Sequence, residues 1–138
     1  MLTLAIIKPD AVRSRLTGKI LAHLEAAGFA VRAARLLRLT PPQAEAFYEV
    51  HRERPFFRSL VTFMSSGPAL ALALDRDDAV TRLRDVIGAT DPTEAKPGTV
   101  RKLYAESKER NAIHASDSPE TAARELAFFF AETELRGL

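Results

Sequence analysis

His114 closes a short apolar run in "NAIHASDSPETAARELAFFF" (111–130), just ahead of Ser-Asp-Ser-Pro, which reads as a helix start. The other two of the three histidines, His23 and His51, lie in stretches whose apolar spacing is helical. At a strand-to-helix junction an imidazole is held by rigid elements on both sides while staying accessible. That suits a nucleophile, and the alternative is a histidine satisfied at a strand end. Ser118 as N-cap and Pro119 at the first helical position leave backbone N–H groups and the positive end of a helix dipole nearby, which favours a phosphate arriving on the ring. Neutral imidazole, with an ordinary pKa of about 6.5, is a competent nucleophile near neutral pH. One ring nitrogen must be free while the other is held by an acceptor that fixes the tautomer. Glu125, two turns into the following helix, is spaced to supply that acceptor.

Other candidates are less distinctive. Lys8 follows a buried apolar run, so it either exits to solvent or meets an anion. Tyr48 shares a helical face with Phe47 and His51, which fits core packing or a hydroxyl delivered to a cleft. Arg84, Thr90, Arg101 and Asn111 flank a long loop, and each alone is an ordinary polar residue. There is no G-x-x-x-x-G-K-[ST], no G-x-G-x-x-G, no protein-kinase motif set and no histidine spacing suited to a metal. Any phosphate handled here falls to arginine, lysine and histidine without a glycine cradle.

These residues need a scaffold. A chain of 138 residues is most simply one domain, 1–138, burying roughly 70% of its unfolded surface. Without cysteine, disulfides, thiolate zinc sites and cysteine nucleophiles are excluded, and a reducing compartment, the cytoplasm, is the default expectation. The first apolar run is too short for a signal-peptide core or a membrane span. Net charge is only +2, with acids interspersed among fifteen arginines and five lysines, so nucleic-acid binding is not expected.

Leu2 to Ile7 reads as a strand buried on both faces, and Thr17 to Ala27 as a helix closed by Gly28. Phe29 to Leu39 alternates as a second strand. Thr40-Pro41-Pro42 starts a helix whose face carries Ala44, Phe47, Tyr48 and His51, broken at Arg54-Pro55-Phe56-Phe57 and followed by a short amphipathic piece to Gly67. Pro68 to Leu74 is a third strand, Asp77 or Asp78 caps a helix through Ile87, and Gly88 ends it. A long excursion begins at Ala89, Ala112 to His114 forms a final strand, and Ser118-Pro119 opens a last helix with Leu126, Phe129 and Phe130 inward. This order fits a ferredoxin-like α/β (α+β) sandwich, βαββαβ, with helices covering a four-stranded antiparallel sheet.

The stretches "TLAIIKPDAV" (3–12), "FYEVHRERPFF" (47–57), "SSGPALALAL" (65–74), "IGATDPTEAKPGTVR" (87–101) and "NAIHASDS" (111–118) resemble, in order, the signature blocks of bacterial nucleoside diphosphate kinases. The resemblance runs from end to end. It implies ping-pong transfer of a γ-phosphoryl group from ATP or another nucleoside triphosphate to a diphosphate, through a phosphohistidine on His114. By matching positions, Lys8, Tyr48 and Glu125 complete the catalytic group. Lys8, Phe56, Arg84, Thr90, Arg101 and Asn111 bind the nucleotide. Phe56 would stack on the base against a wall near Lys108, giving broad base specificity. Mg²⁺ would travel on the nucleotide phosphates with no metal site of the protein's own. The resemblance also implies a homo-oligomer, tetrameric or hexameric, while the short stretch after Phe130 makes tail-mediated subunit contacts doubtful. Three positions depart from the family pattern: Ala115 stands where glycine is commoner, Leu103 where many members have aspartate, and Lys108 where an apolar residue is frequent. A noncatalytic nucleotide-sensing module on the same fold is the alternative from another class.

Overall fold

Strand β1 (Leu2–Ile7) is buried from Thr3 onward, as its almost unbroken apolar run demands. Strand β2 (Ala30–Leu37) lies on the outer side of β3 (Ala69–Asp75), and β1 separates β3 from β4 (Ile113–Ala115). The order is β2-β3-β1-β4 with every neighbouring pair antiparallel, the expected ferredoxin-like sheet. The computed structural model describes residues 1–136, so the last two residues of the expected 1–138 domain lie outside the described part.

Side chains alternate across the sheet, and two cores follow from that period. Leu4, Ile6, Ala71 and Ala73 pack with Phe47, Tyr48, Phe57, Met64, Leu126 and Phe129, contributed by or adjoining α3 (Pro41–Phe47), α4 (Phe57–Met64) and α7 (Pro119–Phe129). Ala5, Ile7, Leu72, Leu74 and Ile113 pack under α2 (Thr17–Ala26), α5 (Ala79–Ile87) and Val100 at the start of α6 (Val100–Tyr104). His114 pairs with Ile6 and therefore faces the first layer. Each fully buried Leu or Ile contributes about 1.5–3 kcal/mol. A one-residue slip of β4 would exchange Ile113 and His114 between the two layers, burying the imidazole under α5 and leaving Ile113 on the side of Phe47, so core packing fixes where the imidazole points.

Several boundaries differ from the sequence expectation. A short helix α1 (Pro9–Arg13) follows β1 directly, with Pro9 at its first position where the missing N–H costs nothing. Strand β2 is shorter than expected at both ends, and its register with β3 shifts between Val31 and Ala33. The helical face expected to reach His51 stops at Phe47. Tyr48 is the C-cap and Glu49–His51 tightens into a 3₁₀ turn, a common way for a helix to end. Asp78 precedes α5 at φ +51 but caps it with no side-chain hydrogen bond, and Asp is among the residues that tolerate this conformation. Gly88 ends α5 as expected, at φ +88, and a Cβ there would stand 2.6 Å from Thr99 Oγ1. Thr99 in turn caps α6 by accepting from Lys102 N. The last strand begins one residue later than expected, because Ala112 has φ +76 and leaves the extended region. A further short helix, α8 (Glu132–Leu135), follows α7. No helix among the described residues is long and apolar enough to cross a membrane.

Candidate active site

The His114 ring lies edge-on to Phe47 and Tyr48, with centroids 5.4 and 5.9 Å away. Its Nε2 is 2.9 Å from Glu125 Oε1, and Ser116 Oγ donates to the same oxygen at 2.7 Å. Helix α7 brings Glu125 there because Ser118 and Thr121 close a capping box that fixes where the helix begins. Burial alone would raise the Glu125 carboxyl, but the hydrogen bond and charge of His114 and the bond from Ser116 hold it below its ordinary range. Burial lowers the His114 pKa, Glu125 opposes that, and Lys8 and Arg101 lower it further. The ring is therefore neutral at pH 7. A carboxylate only accepts, so the proton of that neutral ring sits on Nε2 and the Nδ1 lone pair is free. Glu125 is thus the acceptor that the helical spacing anticipates.

Strand β4 is an edge strand, and its open side carries the cations. Lys8 N donates to Ala112 O and Ser116 N to Leu4 O, so the carbonyls of Ile113 and Ala115 point away from β1. Arg101 donates to Ile113 O at 2.7 Å and to Gly88 O at 2.9 Å, and Arg84 reaches Ala115 O at 3.5 Å. Two guanidinium groups thus stand where a fifth strand would pair, one on each side of His114. Arg101 is buried, its Nε has no partner among the described residues, and burial together with the Arg84 charge lowers its pKa to about 10.

Lys8 resolves the choice its sequence leaves open: it stays buried and donates to Asn111 Oδ1 at 2.8 Å. Burial and Arg101 bring its pKa down to about 8, against the opposing charges of Asp10 and Glu109. Asn111 Nδ2 in turn donates to Thr90 O at 3.2 Å, so Thr90 joins the network by its backbone. The Tyr48 ring packs in the core, and its buried hydroxyl has no partner among the described residues. Burial first, then the Glu125 charge, raises its pKa, so it remains a hydroxyl. A buried donor without an acceptor is costly.

Phe56 is 41% exposed at the start of α4, with the Arg54 guanidinium over its ring and His51 beside it at 5.4 Å. His51 also stacks on Tyr48 at 6.3 Å, so aromatic rings run from His114 through Tyr48 and His51 to exposed Phe56. Ser59 Oγ donates to Glu109 Oε1 at 3.1 Å, which ties the loop carrying exposed Lys108 to the first turn of α4, one turn from Phe56. A groove of about 410 Å³ lined by Arg13, Arg58, Ser59, Thr62, Phe63, Ser66, Glu109 and Arg110 contains none of these candidates.

The sequence reading missed Ser116 and the stacked position of His51. Only the tight "HASDS" turn and the His51 spacing hint at them. Of the departures, Ala115 fits its strand position opposite Ala5, while Leu103 is exposed on α6.

The family model described as nucleoside diphosphate kinase matches residues 2–135. The chain belongs to the nucleoside diphosphate kinase family. A nucleoside diphosphate kinase of Acidiphilium cryptum is 56% identical over 135 residues, covering 98% of this chain and 96% of the relative. The structure of the Aquifex aeolicus nucleoside diphosphate kinase superposes with a TM-score of 0.94 at 48% identity, covering 96% of each chain. That of a halophilic nucleoside diphosphate kinase from Halobacterium salinarum, in complex with CDP, gives 0.95 at 36% identity over 100% of this chain and 92% of the other. Nucleoside diphosphate kinases are phosphotransferases that pass a γ-phosphoryl group between nucleotides, and kinases acting on nucleotides generally need a divalent metal.

Proposed function

We propose that His114 is the covalent phosphoryl carrier of this nucleoside diphosphate kinase. The observation that carries this is the neutral ring with Nε2 committed to Glu125 and Nδ1 free, flanked by Arg84, Arg101 and Lys8. The Nδ1 lone pair attacks the γ-phosphorus, the bond to the β–γ bridging oxygen breaks, and the nucleoside diphosphate leaves. A second diphosphate then reclaims the phosphoryl group by the reverse step. Positive charge develops on the imidazole as the N–P bond forms, and the Glu125 carboxylate, fixed by Ser116, stabilises it. Arg84 and Arg101 neutralise the phosphate oxygens, Thr90 adds a contact, and the Tyr48 hydroxyl and Lys8 ammonium donate to the transferring group. Such transfer asks chiefly for in-line positioning and charge neutralisation, which this donor set supplies.

The lining is cationic, which disfavours a bare metal ion and favours one already carried on di- or triphosphate. Mg²⁺ would therefore enter as part of the nucleotide substrate and would supply charge neutralisation to the transfer. Phe56 stacks on the base near Lys108, and the Lys8–Asn111 pair meets the ribose. A stacking contact with no hydrogen bond to the base edge accepts every base. We extend the proposal to a cytoplasmic homo-oligomer, tetramer or hexamer. It is supported by a cysteine-free chain and by the open edge of β2, where Leu36 is 66% exposed.

Steady-state exchange between ATP and a panel of diphosphates tests the proposal. Parallel double-reciprocal lines are expected. Adenine, guanine, cytosine, uracil and thymine diphosphates should differ in kcat/KM by about 10²-fold at most. Intersecting lines, or a strict preference for one base, would contradict it.

A further inference from the structure

Asp10 is buried beside the site and has no part in the mechanism above. It sits in the first turn of α1, and its Oδ2 accepts the N–H of Ala112 at 3.1 Å, across 102 residues of chain. Ala112 has φ +76, and Ile113 N donates to Asn111 O across it at 2.9 Å. An i-to-i+2 hydrogen bond over a positive φ is the rare, strained form of the γ-turn, which a residue with a Cβ adopts only when its surroundings over-determine it. Here both polar groups of Ala112 are held by one segment: its N–H by Asp10, and its C=O by the backbone N–H of Lys8 at 2.9 Å. The strained turn is thus clamped to the stretch that carries Lys8. On one side it sets Asn111, which receives Lys8 Nζ, and on the other the Ile113 carbonyl that anchors Arg101.

We infer that Asp10 is a positioning residue: its carboxylate clamps the strained turn at Ala112, and this turn holds Asn111 against Lys8 where the nucleotide sugar binds. The inference rests on the reading that Lys8 and Asn111 meet the ribose. Burial pushes the Asp10 carboxyl up, while the N–H groups of Ala11 and Ala112 and the Lys8 charge oppose this. Its other oxygen, Oδ1, has no hydrogen-bond partner among the described residues, while Oδ2 receives the Ala112 N–H. Asp10 also counters the lowering of Lys8 by burial and Arg101.

The test measures kcat/KM of the phosphorylated enzyme for a 2′-deoxy diphosphate and its 3′-deoxy counterpart. The proteins are the wild type, Asp10→Ala, and Asp10→Ala with Ala112→Gly. The wild type is expected to prefer the 3′-hydroxyl strongly. Asp10→Ala should lose about tenfold of that preference, the scale of one hydrogen bond, while its rate on the 3′-deoxy substrate stays within about threefold. Adding Ala112→Gly should recover at least about threefold of the lost preference, because glycine takes positive φ without steric cost. A wild type indifferent to the 3′-hydroxyl overturns the sugar assignment and the inference with it. A wild type that discriminates beside an Asp10→Ala variant that discriminates equally well, or slows equally on both substrates, overturns the inference alone. Should Asp10→Ala fail to fold, amide hydrogen exchange of the intact wild type reads the clamp directly. Ala112 N–H is expected to be protected like the β1–β4 ladder, and exchange at the rate of an open loop overturns the inference.

Discussion

Replacing Glu125 by glutamine keeps the shape of the side chain and removes its charge. The amide oxygen can still accept from His114 Nε2 and Ser116 Oγ, so the 2.9 and 2.7 Å contacts need not break and folding should be little affected. What changes is the response to charge forming on the ring. A hydrogen bond to a charged group is worth about 1.5–3 kcal/mol against about 1 for a neutral one, and the Glu125 side chain is only 12% exposed, so solvent screens little of the difference. A loss of about 0.5–2 kcal/mol from the transition state slows phosphorylation by roughly 2–30-fold. The pH dependence moves in the opposite sense to the rate. His114 must be neutral to attack, so activity falls as pH drops through its pKa. Burial already lowers that pKa, and the Glu125 bond and charge raise it. Removing the charge lowers it further, so the acid limb of the variant lies at lower pH than that of the wild type. Quenched-flow measurement of phosphoenzyme formation from labelled ATP between about pH 5 and 8 reads both effects. An unchanged rate at neutral pH, or an acid limb displaced upward, would refute the role given to the carboxylate.

Arg101→Ala and Arg84→Ala should each lower turnover by about 2–4 kcal/mol of transition-state stabilisation, as expected for preorganised charge donors. The two should separate in thermal denaturation: Arg101 is buried on two carbonyls and its loss lowers Tm, whereas exposed Arg84 holds one long bond and its loss leaves Tm nearly unchanged. Wild-type turnover in both variants would place these arginines outside the chemistry. Gly88→Ala meets φ +88 and a Thr99 Cβ only 2.8 Å from the added methyl, so stability should fall by about 2–4 kcal/mol in denaturant titration, and a change below about 0.5 would show that the α5–α6 junction relaxes freely.

The sheet was legible because its strands are apolar runs and the helices between them are bounded by residues with a mechanical reason to bound them, such as Gly28 and Gly88 at helix ends and the Thr40-Pro41-Pro42 start. Glu125 was legible for the same kind of reason, since helical spacing alone carries it back toward the strand end. Arg101 was not. Nothing in "PGTVRKL" says that a guanidinium will satisfy the open carbonyls of a distant edge strand; its place beside the long loop made it a candidate, and only the resemblance to the family gave it a role. Buried cations leave no periodic signal, and a γ-turn at an alanine has no compositional one. Tyr48 shows the limit from another side: the sequence weighed core packing against a free hydroxyl, and the structure has both, a packed ring with an unpaired oxygen. The His51 face was overextended because apolar spacing continues through a 3₁₀ turn much as it does through a helix.

The central claim is that the phosphoryl group resides on His114 between substrates. Incubating the chain with γ-labelled ATP and Mg²⁺, removing nucleotide and locating the label by mass spectrometry tests it most directly. One acid-labile, base-stable phosphoryl group per chain on His114 is expected, discharged as GTP when GDP is added and absent from His114→Ala. A label on another residue, or a His114→Ala variant retaining more than about a hundredth of wild-type turnover, would contradict it.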